Sequence, residues 1–222
     1  LYGTKKMFSE IAGNADTENM LAEYNAGFKQ DMRRFLKSDE GMISGAEFHV
    51  RRNTGSFGTI NYMANQDGFT LYDTVAYNYR HNEANGEYNR DGSEFNYSWN
   101  CGIEGATRKQ AIRKMREQQM RNAFLMLLLS QGTPMIYGGD EFANSQAGNN
   151  NAWCQDNAVG WTDWKNARRH TGLSSFVKEA IAFRKNHPIL HMPKEMRGVD
   201  YMAKGFPDVS VHGERAWFLN RD

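Results

Sequence analysis

No sign of charge dominates this chain of 222 residues: 27 Lys and Arg stand against 26 Asp and Glu, a formal net charge of +1. That balance excludes the broad basic surface by which proteins hold nucleic acid or an anionic membrane. Long hydrophobic runs are missing too. The longest, Ala123–Leu129, has seven residues, far short of the roughly 18 to 20 needed to span a bilayer. Only two cysteines, Cys101 and Cys154, are present; they make no disulfide framework and no C-x-x-C metal pattern, and in the fold they are expected to pack near each other. The six histidines form no H-E-x-x-H box, so metal catalysis finds no support and no cofactor is expected. There is no G-x-G-x-x-G, no phosphate-binding P-loop and no G-x-S-x-G elbow, which disfavours nucleotide chemistry and a covalent serine mechanism. The start at Leu1 carries no basic-then-apolar leader, and the compartment is left open.

What is abundant is aromatic and amide side chains: five Trp, ten Tyr and 13 Phe beside many Asn and Gly. Most such rings belong in a core, yet rings and amides together also suit sugar faces and hydroxyls. Apolar residues at spacings of three and four predict an amphipathic helix over 18–37, with Tyr24, Phe28, Met32, Phe35 and Leu36 on its inner stripe. Residues 38–58, broken by four glycines, read as loop with at most one helical turn. Thr59–Ala64 reads as a short buried strand ending in Asn65, Gln66, Asp67 and Gly68. A polar segment from 68 to 106 follows, far longer than a routine connection, and its aromatic residues Tyr72, Tyr77, Tyr79, Tyr88, Phe95, Tyr97 and Trp99 argue for order. A capping-box pattern at Thr107–Gln110 opens a helix through Ile112, Met115, Met120, Phe124 and Leu127. Gln131–Pro134 stops it, Met135–Tyr137 makes a second strand ending in Gly138, Gly139, Asp140 and Glu141, and a second long loop leads to a helix over 173–186. Helices alternating with buried strands predict an α/β fold with a parallel sheet. Both long loops leave the C-terminal strand ends, which in (β/α) barrels is the active face.

Asp67 is the sharpest candidate for chemistry, a carboxylate at the end of a buried strand on the loop face; an ordinary Asp-Gly turn explains the same pair. Asp140 and Glu141 occupy the equivalent place on the next strand. They make either an acid/base pair or, the stronger reading, acceptors for loop backbone donors. Asn149, Asn150, Asn151 and Trp153 form a cluster in which amides can bond hydroxyls while an indole covers a sugar face, although Asn-rich loops also arise because Asn tolerates turns.

Taken together, INYMANQDGFTLYDTVAYN, HNEANGEYNRDG, YSWNCGIEG, LLLSQGTPMIYGGDEF and GNNNAWCQDNAVGWTDW resemble the isoamylase-type, glycogen-debranching branch of the α-amylase superfamily, with counterparts from about Tyr24 to His212. The resemblance implies a (β/α)8 TIM barrel that cuts α-1,6-glucosidic branch points of glycogen, amylopectin or limit dextrins with retention. It implies that Asp67 is the transition-state-stabilising aspartate. Gln66 stands where the family usually has a His that contacts substrate; an amide keeps a hydrogen bond but carries no charge, so sugar contact with weaker transition-state stabilisation is expected. Motifs for the nucleophile and the general acid are absent from these residues. The chain therefore resembles the last third of a barrel over 1–197, with 198–222 as an exit segment toward a C-terminal β-sandwich domain. The expected partner is an α-glucan, with no nucleic acid and no membrane, and a partial barrel with unpaired strand edges is expected to self-associate. Alone, such a piece is expected to be inactive. The competing readings are an α-glucan-binding protein without turnover, motivated by Gln66, and transglycosylation at the same site.

Overall fold

Strand-forming residues and helical stripes alternate along the chain, and the computed structural model, which describes residues 22–53, 58–213 and 215, realises them as a three-stranded parallel sheet covered by helices. The order is β1 (Ala22–Tyr24), α1 (Ala26–Leu36), α2 (Ile43–Arg51), β2 (Gly58–Tyr62), α3 (Leu71–Thr74), α4 (Gln110–Leu129), β3 (Thr133–Met135), α5 (Lys165–Arg169) and α6 (Thr171–Asn186). β2 lies between β1 and β3, with Ile60 opposite both Tyr24 and Thr133. All three strands run the same way, so their C-terminal ends share one side, and the two long segments leave from it. Pro134 offers no N–H to a ladder, which fits β3 at the end of the described strand order.

The helix expected over 18–37 begins later. Residues 22–24 form β1, because pairing to β2 outweighs the helical pattern, and Asn25 caps α1 by accepting the Phe28 N–H at 3.1 Å. Residues 18–21 lie outside the described part. The cap is fastened to the sheet, since Asn25 Nδ2 donates to Asn61 Oδ1 at 2.8 Å and Asn61 Nδ2 donates to the Gln131 carbonyl at 2.8 Å. Residues 43–51, read as loop, are a nine-residue helix. Gly45 permits it to sit close to α1: a Cβ there would lie 3.3 Å from Asp31 Oδ2, and His49 Nε2 meets the same oxygen at 3.0 Å. Tertiary packing has overridden weak local propensity. The capping box does not close, since Thr107 Oγ1 accepts only the Lys109 N–H and Lys109 itself precedes the first turn of α4. The strand expected at 135–137 is shifted to 133–135. Cys101 is buried and Cys154 exposed, and both are free thiols.

Apolar burial joins the layers: Phe28 and Met32 of α1, Met63 and Leu71 after β2, Phe124 and Leu128 of α4, and Leu173 of α6 share one core. Three arginines sit in or beside it, each bound to main-chain carbonyls. Arg33 donates to Met63 O at 2.7 Å, Asn96 O at 3.1 Å and Phe69 O at 3.1 Å. Arg116 donates to Gly105 O at 2.7 Å and Asn100 O at 3.0 Å, and also to Ile103 O. Arg184 closes the end of α4, donating to Leu128 O at 2.8 Å and Ser130 O at 2.6 Å, and to Gly132 O at 2.6 Å.

Two buried carboxyls stitch the long loops to each other reciprocally. Asp140, after β3, accepts the Leu71 N–H at the start of α3 at 2.9 Å, while Asp73, after β2, accepts Ser145 Oγ at 2.5 Å and the Gln146 N–H at 2.8 Å. Burial raises both pKa values, Asp73 to about 6 and Asp140 to about 7, against these hydrogen bonds and, for Asp140, the nearby Arg33 charge.

Two predictions follow from these groups. Raised native pKa values mean that the folded chain holds protons the unfolded chain has released, so the contribution of Asp73 and Asp140 is full below about pH 4 and declines as pH rises to about 7. Urea midpoints measured from pH 4.5 to 7.5 should therefore fall less steeply with pH in Asp140→Asn than in the parent, and an unchanged slope refutes the assignment. Arg33→Met, which strands three buried carbonyls, should lower stability by about 3 kcal/mol, and a denaturation midpoint within error of the parent would count against that anchoring role.

Candidate functional site

β2 carries the chain out of the core to the loop face. Tyr62, Met63, Ala64 and Asn65 are buried, and Gln66 and Asp67 are the first side chains to reach solvent. The turn between them and α3 is held at both ends by one guanidinium, because Arg33 binds the carbonyls of Met63 and Phe69. Gly68 adopts φ +107°, a conformation that side chains rarely take, and its N–H donates to the Asn150 carbonyl at 3.1 Å. Lys29 reaches the same turn from α1. Its Nζ lies 3.4 Å from both Asn65 Oδ1 and the Asp67 carbonyl and 5.6 Å from the Tyr62 ring centre. Burial and the Arg33 charge lower its pKa to about 8, with the Asp67 charge opposing.

The Asn-rich loop supports this turn from behind. Asn150 Nδ2 donates to Ser93 O at 2.8 Å and Asn96 Oδ1 at 2.8 Å, its N–H donates to Asn82 Oδ1 at 3.0 Å, and its Oδ1 accepts from Asn82 Nδ2 at 2.8 Å. Asn96 in turn gives its carbonyl to Arg33, so a closed ring of polar contacts runs from Arg33 through Asn96 and Asn150 to Gly68 and back. Gly92 is required beside it: a Cβ there would lie 2.1 Å from Asn150 Oδ1. Asn149 and Asn85 exchange amide hydrogen bonds, Nδ2 of Asn149 donating at 2.7 Å and Nδ2 of Asn85 at 3.3 Å. Asn151 and Asn85 both donate to Asp91 Oδ2, at 2.8 and 2.7 Å.

The residues singled out in the sequence thus fall into two groups. Gln66 and Asp67 stand together, exposed, at the strand end, and Trp153 is 71% exposed on the short 3-10 turn Ala152–Cys154. Asn149 and Asn150 are turned inward, 2% and 3% exposed, and Asn151 is partly buried with its amide donating to Asp91, so these amides bond within the loops. Asp140 and Glu141 behave as the stronger sequence reading expected: Asp140 accepts the Leu71 N–H and Glu141 Oε2 accepts the Gly139 N–H at 2.9 Å. Sequence reasoning missed Lys29, Arg33, Asn82 and Asn85. For Arg33 the one signal was its place between Met32 and Leu36, on a stripe where the expected Phe35 is instead 37% exposed. Among the described residues no cluster of three or more His, Cys, Asp or Glu side chains could hold a metal ion, and no helix is long and apolar enough to cross a membrane.

No protein-family model matches the chain. Individual relatives do. It is 41% identical over 190 residues to a glycogen operon protein GlgX homolog of Mycobacterium bovis, a match covering 81% of this chain and 26% of that protein. It is 41% identical over 188 residues to the glycogen debranching enzyme of Dickeya chrysanthemi, covering 81% and 28%, and 40% identical over 189 residues to the chloroplastic isoamylase 3 of Oryza sativa, covering 81% and 24%. The chain thus spans about a quarter of the length of the curated relatives it matches. Among solved structures, the pullulanase of Paenibacillus barengoltzii in complex with maltohexaose and α-cyclodextrin superposes with a TM-score of 0.56 at 20% identity, covering 83% of this chain and 27% of that one, and a pullulanase of Anoxybacillus complexed with maltotetraose gives 0.57 at 21%, covering 82% and 24%. The likenesses to solved structures show a shared fold, and in sequence the chain is similar to glycogen debranching enzymes and isoamylases over about four fifths of its length.

Proposed function

We propose that this chain is the C-terminal part, over 1–197, of the (β/α)8 catalytic barrel of an α-glucan debranching glycoside hydrolase, with 198–222 leading toward a C-terminal β domain. The observation that carries the reading is the exposed Gln66–Asp67 pair at the C-terminal end of parallel strand β2, anchored by Arg33, in a chain about 40% identical to glycogen debranching enzymes and isoamylases. The substrate class is a branched α-glucan and the bond is the α-1,6 branch point, as the relatives' names suggest.

In this reading Asp67 presents a negative charge toward the sugar ring, where positive oxocarbenium character develops, and binds the transition state better than the ground state. Rigidity serves that role, because a preorganised charge needs no reorganisation as the reaction proceeds. Gln66 donates an amide N–H to a substrate hydroxyl. Trp153 offers a ring face to a sugar, while Asn149, Asn150 and Asn151 keep the surface below it in place. The nucleophile and the general acid lie on other strands of the whole barrel, so these residues alone bind and orient but do not cleave.

A second reading, an α-glucan-binding protein without turnover, is favoured by Gln66, which cannot supply the charge of an imidazolium.

In the protein that carries the whole barrel, Asp67→Asn should lower kcat for reducing-end release from amylopectin by about 100- to 1000-fold, and Gln66→His should leave it unchanged or raise it. Undiminished turnover in Asp67→Asn removes Asp67 from the mechanism. Amylopectin binding without turnover in the parent gives precedence to the second reading.

The flanks of β1 and β3 turned away from β2 pair with no described strand, and we infer that they drive self-association of the isolated 222-residue chain. Light scattering should then report oligomers or aggregates, and a monodisperse monomer contradicts it.

A further inference from the structure

Away from the Asp67 turn, a cavity of about 650 Å³ opens between the first turns of α4, the 143–145 segment and the α5–α6 junction. Its volume lies in the range of small-molecule sites, and none of its lining residues belongs to the 63–69 turn. Its lining includes Arg113, Lys114, Arg169 and His170. Glu117 is the only acidic side chain lining it, and that carboxylate is bound to Arg121 at 2.7 Å. Among the described residues Arg113, Lys114 and Arg169 enter no ion pair. These three are exposed cations lining one cavity, in which the single carboxylate, Glu117, is already paired with Arg121.

Two further observations give the cavity the character of an anion site. Arg116, 1% exposed, is part of the lining, and its Nε is buried with no hydrogen-bond partner among the described residues. His170 is held below its ordinary pKa by burial, with Glu117 opposing and Arg113 and Arg169 adding to the effect, so both guanidinium groups lie close enough to act on its ring. Guanidinium forks match phosphate oxygens in geometry and charge. Tyr72, Tyr77, Gln110 and Asn166 also line the cavity, ring and amide groups suited to a polar body with apolar faces.

We propose that this cavity binds a phosphate monoester on a hexose-sized body, its phosphate held by Arg113, Arg169 and His170. The phosphate is borne either by a free hexose or by a glucose unit within a glucan; the chemistry is the same, and the site is independent of the Asp67 reading.

Calorimetric titration of the protein with glucose 6-phosphate, glucose, inorganic phosphate and phosphorylated and unphosphorylated maltodextrin tests it. Glucose 6-phosphate should bind at least about tenfold more tightly than glucose, and more weakly as salt rises. Arg113→Ser/Arg169→Ser, which alters two exposed side chains, should cost a further factor of about ten or more, while Arg113→Lys/Arg169→Lys keeps part of the affinity. In NMR, the His170 ring resonances should move on addition of glucose 6-phosphate and titrate at higher pH. Phosphorylated maltodextrin outcompeting glucose 6-phosphate identifies the glucan-borne group, and the reverse identifies the free sugar. The proposal is overturned if glucose binds as well as its phosphate, if no phosphate-bearing probe binds, or if the Ser double variant, folded by circular dichroism, binds undiminished.

Discussion

The architecture depends on the pairing of buried guanidinium groups with main-chain carbonyls. A chain that gives so much of its length to irregular loops creates carbonyls with no helix or sheet partner, and each one left bare in the interior costs free energy. Arg33, Arg116 and Arg184 answer that need at three places. Each sits on a helix and reaches carbonyls that sequence alone leaves unpaired: Arg33 those of the turn after β2, Arg116 those at the close of the long 68–106 segment, Arg184 those at the end of α4. A guanidinium suits the task because it offers five donors in a rigid plane and stays charged even where burial lowers the pKa, to about 10 for Arg33.

Arg33 matters most because its carbonyl partners bracket Gln66 and Asp67. The turn that presents the candidate carboxylate is bound on one side by a side chain deep in the core and on the other by the Asn150 carbonyl. Asn150 is itself fixed by Asn82, Asn96 and Ser93, so two loops from neighbouring strands become one rigid body. Asp73 and Asp140 repeat the device with carboxyl acceptors. A site built from loops gains the precision of regular structure when hydrogen bonds such as these tie the loops to each other and to the core.

Much of the fold was legible. A short run of β-formers identified β2 and a helical period identified α4 and α6 within a few residues, while for α1 it found the C-terminal end and not the start, where β1 intervenes. The exceptions share a cause. Where a charged residue occupies a buried position, as Arg33 does between Met32 and Leu36 and as Arg116 does while Met115 is 42% exposed, a pattern that equates burial with hydrophobicity points to the neighbouring face. α2 was hidden because Gly45 weakens local propensity while making the close approach to Asp31 possible. Its stability comes from α1.

The candidate site divides along the same line. The sequence by itself determined that a carboxylate and an amide end a buried strand on the loop side, since strand length, polarity and turn chemistry are local properties, and the combined motifs carried the resemblance to debranching enzymes. Only the tertiary structure decided that Asn149 and Asn150 face inward while Trp153 faces solvent, and that Arg33, Asn82 and Asn85 hold the site. The physical reason is that an amide beside an amide bonds equally well to a sugar, to water or to another asparagine. Which of these it meets depends on chain segments more than 60 residues apart being brought within 3 Å, and no local pattern records that distance.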